Sequence, residues 1–131
     1  MSLPTYTEIE FVGEVAAGRP AANEEIEPRC IRVDLSSIEV SPNARTFALL
    51  VRGDSMTGAH ILDGDTLVLE HKSPHSGAIV AAMVDGEVTL KRYVEQKGRP
   101  YLKAENPKYA NVIPAQELVI QGVALAVFRR L

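Results

Sequence analysis

A chain of 131 residues with 46% hydrophobic and 24% charged positions can bury one hydrophobic core, and is too short for two ordinary domains. Fourteen Lys and Arg against seventeen Asp and Glu leave a net charge of −3, which argues against a nucleic-acid binder that neutralises phosphates by itself. No apolar run approaches a membrane-spanning helix and no basic-then-apolar secretory leader opens the chain, so a cytoplasmic protein without membrane contact is expected.

The opening Met1-Ser2-Leu3-Pro4 reads as an expression remnant on a piece of a longer protein, and residues 1–10 are set aside as leader or remnant. Gly13, Gly18, Pro20, Pro28 and Pro42 interrupt short apolar runs, which predicts extended segments joined by exposed loops in the first third. Cys30, the one cysteine, has no internal disulfide partner and is expected as a buried small hydrophobe in a reducing compartment. From Cys30 to Leu35 the residues Ile31, Val33 and Leu35 alternate with Arg32 and Asp34, the period of a half-buried strand. Phe47 to Val51 predicts a buried strand running into a turn at Arg52-Gly53-Asp54, and Asp63-Gly64-Asp65 predicts a bend into a strand over 66–70.

Ala78 to Val84 and Glu87 to Tyr93 flank Asp85-Gly86, a dipeptide suited to a two-residue hairpin turn. The segment from Glu117 to Arg129 is rich in Val, Ile and Leu with Gly122 near its middle, which predicts a long strand with a bend or bulge. Residues 118–128 would be an aggregation hazard as a free edge, so pairing across a symmetric homodimer is expected there. No amphipathic helix is evident. The fold class expected is mainly β, as short twisted sheets forming a sandwich or a partly closed barrel.

Two positions have chemical potential. Ser55 follows a strand and Gly53-Asp54, where a hydroxyl can stand clear of bulky neighbours and backbone amides can point toward it. Lys91 lies on the second arm of the hairpin, on the face shared by Thr89 and Tyr93 and opposite Val88 and Leu90. Taken alone, each is bland: a serine after glycine is usually a turn residue, and a lysine alternating with apolar residues usually faces water. His71 and His75 are separated by Pro74, which breaks the helix a zinc pair would need, so no metal and no cofactor is expected. Asp63 and Asp65 suit turn chemistry, and Arg129-Arg130 a solvated terminal charge pair.

Three stretches in order resemble the LexA/UmuD family of self-cleaving peptidases, which includes the lambda-type phage repressors. Val12-Gly13-Glu14-Val15-Ala16-Ala17-Gly18 is similar to its cleavage region, Gly53-Asp54-Ser55-Met56 to its nucleophile motif, and Asp85-Gly86-Glu87-Val88-Thr89-Leu90-Lys91-Arg92 to its general-base strand. Likeness in Leu62-Asp63-Gly64-Asp65, Glu105-Asn106-Pro107 and the strand from Gly122 extends it from about Phe11 over nearly the whole chain. The departures are Ala78 where a polar residue is usual, a loop between Gly18 and Ser55 that does not align residue by residue, and the lack of a basic helix-turn-helix segment.

The resemblance implies a LexA/signal-peptidase-like β domain that cleaves its own Ala17-Gly18 bond, with Ser55 as nucleophile and Lys91 as general base. It further implies an oxyanion hole from the backbone N–H groups of Asp54 and Ser55, with Val15 and Ala16 as recognition residues of the substrate loop. On this reading residues 11–29 are the cleavage region and 30–131 the peptidase and dimerisation domain. The protein is then half of an SOS-response transcriptional repressor, activated by a RecA filament and reaching DNA through a helix-turn-helix domain outside this chain. A UmuD-like accessory protein that self-cleaves and then binds a translesion polymerase is the alternative. A Ser-Lys signal peptidase relative would need a membrane anchor that this sequence lacks, and an inert dimerisation module would need no Ser55 or Lys91 chemistry.

Overall fold

In a computed structural model, the structure describes residues 6–17, 29–111 and 117–131. Eight strands make the architecture: β1 (Thr7–Ala17), β2 (Cys30–Val33), β3 (Thr46–Gly53), β4 (Thr66–Glu70), β5 (Ile79–Val84), β6 (Glu87–Gln96), β7 (Arg99–Lys103) and β8 (Leu118–Phe128). They form one sheet in the order β2-β1-β3-β4-β8-β5-β6-β7, and a further pairing of Ala16 with Thr89 joins β1 to β6. Hydrogen bonding therefore runs round in a ring, as a mainly β fold that partly closes requires, although one continuous sheet replaces the several short ones expected. Two short 3-10 turns, Leu35–Ile38 and Thr57–Ala59, complete the regular structure of the described residues.

The local sequence explains most of these elements. Asp85 and Gly86 both take positive φ, 46° and 90°, the signature of the tight hairpin turn that sets the β5–β6 register from Val84 opposite Glu87 to Ile79 opposite Arg92. Gly122 lies at the change of register where β8 passes its partner Ala81, and the Phe47 ring fills the space a Cβ would occupy there, 2.6 Å from Cζ. The strand expected through Leu35 stops at Val33 instead. The Asp34 carboxylate accepts from the Ser36 N–H at 3.1 Å and caps a 3-10 turn, the local bonding by which Asp and Ser compete with a strand ladder.

Two expectations are corrected, at Cys30 and at Arg129. Cys30 is exposed, because the alternation that buries Val33 turns Cys30 and Arg32 outward. Within the chain, β8 pairs antiparallel with β5 through Leu118–Val123 and with β4 through Val123–Phe128. Arg129 is not merely a solvated terminal charge. Its Nε and Nη2 donate to the Asp65 carboxylate at 2.7 and 2.8 Å, and Asp65 is 1% exposed.

The Arg129 hydrogen bonds hold the Asp65 carboxyl below its usual range. A carboxyl whose pKa is depressed on folding lends stability that is present above its unfolded value of about 3.9 and is lost as pH falls through the folded value. Arg129→Ala is therefore expected to lower the melting temperature by several degrees at neutral pH and much less at a pH below the folded Asp65 value, where that carboxyl is protonated; thermal melts at the two pH values check it. An equal loss at both would show that the ion pair is not the cause.

The first strand changes partner along its length. Thr7–Glu10 pair antiparallel with β2, and after a shift of register between Phe11 and Glu14 the strand continues parallel to β3 up to Ala17 opposite Gly53. Val15 and Ala17 are fully buried in the main core with Phe47, Leu49, Val51, Met56, Ile61, Leu67, Leu69, Ala81 and Leu90. The end of β1 is thus held between β3 and β6, the first leading into the turn that carries Ser55 and the second bearing Lys91 on its length.

Candidate active site

The turn after β3 is shaped by two close contacts. Gly53 has φ 109°, and a Cβ built on it would lie 1.7 Å from the Ala17 carbonyl oxygen, so only glycine lets the first strand come this near. The Gly53 N–H donates to the Asp63 carboxylate at 2.8 Å, and Gly64 N–H to the Val51 carbonyl at 2.8 Å, so the Asp63-Gly64-Asp65 bend braces the turn from behind. Met56 is wholly buried in the main core and anchors its far side.

Ser55 is 0% exposed and Lys91 is 5% exposed. Lys91 Nζ stands 3.1 Å from Ser55 Oγ, 2.9 Å from Thr89 Oγ1 and 3.1 Å from the Leu90 carbonyl oxygen. Burial lowers the Lys91 pKa from its ordinary value, the cause being desolvation of the ammonium form. Once neutral, the amine has two hydrogens, which Thr89 Oγ1 and Leu90 O can accept. Its lone pair is then left for the Ser55 hydroxyl proton.

The Ser55 N–H donates to the Ala17 carbonyl oxygen at 3.2 Å. Ala16 faces Thr89, whose hydroxyl donates to the Ala16 carbonyl at 3.4 Å. Four of the residues singled out from the sequence, Ala16, Ala17, Ser55 and Lys91, therefore converge on one point, and Val15 packs beneath them in the core. Gly18 lies outside the described residues. Asp54 is gripped from the loop after β7: its carbonyl accepts from Asn106 Nδ2 at 2.8 Å, and its carboxylate bonds the Tyr109 hydroxyl and Lys108 Nζ. The Tyr109 hydroxyl, followed by Lys108, holds the Asp54 carboxyl below the usual range. The Glu105 N–H donates to the Ser55 carbonyl at 2.8 Å, so this loop also fixes the turn that carries Ser55.

Thr89, Asn106 and Tyr109 were given no role from sequence. Alternation already placed Thr89 on the Lys91 face, which is the signal that could have found it. Asn106 and Tyr109 act across more than fifty residues; Asn106 lies in the Glu105-Asn106-Pro107 stretch already noted for its likeness, whereas nothing local foretells Tyr109.

The chemistry open to this arrangement is set by its parts. A buried alcohol in contact with a lysine whose pKa burial lowers can serve as an activated nucleophile, and a backbone N–H on a nearby carbonyl oxygen can serve as an oxyanion donor.

The chain is similar to known proteins along most of its length. The family described as Peptidase S24-like matches residues 10–125. The LexA repressor of Verrucomicrobium spinosum is 50% identical over 122 residues, covering 93% of this chain and 60% of that protein. The LexA repressor of Opitutus terrae is 42% identical over 126 residues (95% of this chain, 63% of that protein), and that of a Parafrankia species 40% over 131 (97% and 49%). The chain thus spans between about half and two thirds of the length of these relatives.

Proposed function

The chain belongs to the Peptidase S24-like family, and from that premise we propose that it is the self-cleaving serine peptidase part of a LexA-like repressor, with the Ala17-Gly18 bond as its substrate. The observation that carries the proposal is the meeting of Lys91 Nζ, Ser55 Oγ and the Ala17 carbonyl in one buried place.

In this reaction the neutral Lys91 amine takes the Ser55 proton as Oγ bonds to the Ala17 carbonyl carbon. The Ser55 N–H stabilises the charge that develops on the carbonyl oxygen, joined by the Asp54 N–H. The Lys91 ammonium then protonates the departing Gly18 nitrogen, which leaves an ester between Ser55 and Ala17. Water, deprotonated in turn by Lys91, hydrolyses the ester and restores the serine. Val15 in the core and Ala16 against Thr89 seat the substrate strand, and small side chains at 16 and 17 let it lie between β3 and β6.

Because attacker and target share one chain, a docked strand reacts at a very high effective concentration, so control lies in the fraction docked. A RecA filament is the activator in this reading, favouring the docked form. In this reading DNA is reached through a helix-turn-helix domain outside this chain, and the whole acts in the SOS response in the cytoplasm. No helix among the described residues is long and apolar enough to cross a membrane. Two copies pair through β8: among the described residues each half of that strand has a partner strand on only one flank, and Val119 and Val127 are 40% and 37% exposed. The relatives' name as repressors favours this reading over the polymerase-accessory one.

After incubation at alkaline pH, amino-terminal sequencing of the larger product should begin at Gly18. A new terminus elsewhere would overturn the assignment of the bond.

A further inference from the structure

The docked end of β1 carries a charge into the protein that the cleavage chemistry does not use. Glu14, three residues before Ala17, has a side chain only 6% exposed, and its Oε1 accepts from Arg52 Nε at 3.1 Å. Its other oxygen, Oε2, is buried and has no hydrogen-bond partner among the described residues. Arg52 lies on β3 immediately before Gly53, with its side chain 31% exposed.

The strand register makes this pair specific to one alignment. From Glu14 onward β1 and β3 match one to one: Glu14 with Leu50, Val15 with Val51, Ala16 with Arg52, Ala17 with Gly53. Val15 and Ala17 face the core, while Glu14 meets Arg52 as a diagonal neighbour two positions along the partner strand, on the other face. Sliding β1 by one residue would take Ala17 away from the Ser55 N–H and put Gly13 or Val15 where Glu14 now sits. Arg52 would lose its partner, and the Glu14 carboxylate would be desolvated without one.

We propose that Arg52 is a specificity-determining residue of the cleavage reaction: a cationic subsite that selects an acidic side chain at the fourth residue before the scissile bond and so sets both the register and the docked fraction of the substrate strand. This rests on the self-cleavage reading. The physical basis is the asymmetry of a buried carboxylate, which is tolerated beside its guanidinium and strongly disfavoured without it. A neutral side chain at 14 gives up the attraction, and a basic one meets repulsion from Arg52. Arg52 acts through the strand and does not touch the reacting atoms, so it is a positioning residue.

The test measures first-order self-cleavage of the whole chain against pH for the parent, Glu14→Gln, Glu14→Arg, Arg52→Glu and the double reversal. In parallel, amide hydrogen exchange of residues 14–17 is followed in the same set carrying Ser55→Ala. Each single charge reversal should slow cleavage by about 10- to 100-fold, and Glu14→Gln, which keeps the shape, by about tenfold. The double reversal should recover most of the loss. The pH midpoint should stay where Lys91 puts it in every variant, since only the docked fraction changes. In the Ser55→Ala series, exchange should quicken in the single reversals and return toward the parent in the double.

Single reversals that cleave within about twofold of the parent, or a double reversal no faster than the slower single, would overturn the proposal. If the parent itself never cleaves, it is the self-cleavage reading that fails. The exchange data then judge Arg52 alone: quickened and restored exchange supports its seating role, and unchanged exchange overturns it.

Discussion

Ser55→Ala and Lys91→Ala should each reduce self-cleavage by at least about 10⁴-fold, and the double variant should be hardly slower than either single one, because nucleophile and base act as a unit. The geometry gives the reason. Among the described residues Ser55 has one basic neighbour in hydrogen-bond reach, Lys91 at 3.1 Å, to take the hydroxyl proton on the path of attack. Lys91→Ala also removes a buried amine whose desolvation the fold tolerates, so the variant should be no less stable than the parent near neutral pH. Loss of activity would then not be loss of fold. Intact-mass measurement after alkaline incubation is the check: the parent should split into pieces of 17 and 114 residues (131 minus 17) and neither variant should. A Lys91→Ala protein that cleaves as fast as the parent would exclude lysine as the base.

Gly53→Ala should be nearly as damaging although it touches neither reacting side chain. The added Cβ would lie 1.7 Å from the Ala17 oxygen, the atom that must accept the Ser55 N–H. The neighbour is backbone of a paired strand, so a small adjustment cannot absorb the clash; the strand must leave. Alanine also resists the φ of 109° that Gly53 adopts. A cleavage loss of at least about 10³-fold is expected, equivalent to about 4 kcal/mol at about 1.36 kcal/mol per decade. Because undocking relieves the clash, the rest of the sheet should remain folded, and residues 14–17 should exchange their amide hydrogens faster than in the parent. Cleavage within about tenfold of the parent would mean that the docked strand is not the reacting form.

Where the chain carried its own local instructions, the fold was legible. Asp85-Gly86 dictated a turn with two positive φ values, Asp63-Gly64-Asp65 ended where β4 begins, and Gly122 marked the irregularity in β8. The turn at Lys97-Gly98 uses the same backbone, with φ 53° and 75°, but lysine is uncommon at that place and proline, here Pro100, is disfavoured within strands, so β7 has only a weak signal in the sequence. Cys30 was expected inside from its residue type, whereas its phase against Val33 already pointed outward.

The site was legible in a different way. Nothing in the distance between Ser55 and Lys91 implies contact, and only the ordered motifs brought them together on paper. Their partners depended on how strands far apart in sequence align. Arg129 reaches Asp65 across 64 residues, Asn106 reaches Asp54 across 52, and Glu14 finds Arg52 across 38. Such contacts are products of register, which the pattern of apolar residues restricts but does not specify.

The most direct test of the mechanism is the titration of Lys91 itself. Below its pKa the folded protein holds the ammonium form, which cannot accept the Ser55 proton. The neutral fraction there rises about tenfold per pH unit and then levels off once the amine is deprotonated. With Lys91 labelled and Ser55 replaced by alanine to prevent cleavage, nuclear magnetic resonance of the lysine side chain should report a pKa below the ordinary lysine value of about 10.4. That pKa should agree with the midpoint at which the parent's cleavage rate levels off. A Lys91 that titrates at the ordinary lysine value, while cleavage reaches its plateau at a lower pH, would contradict the mechanism.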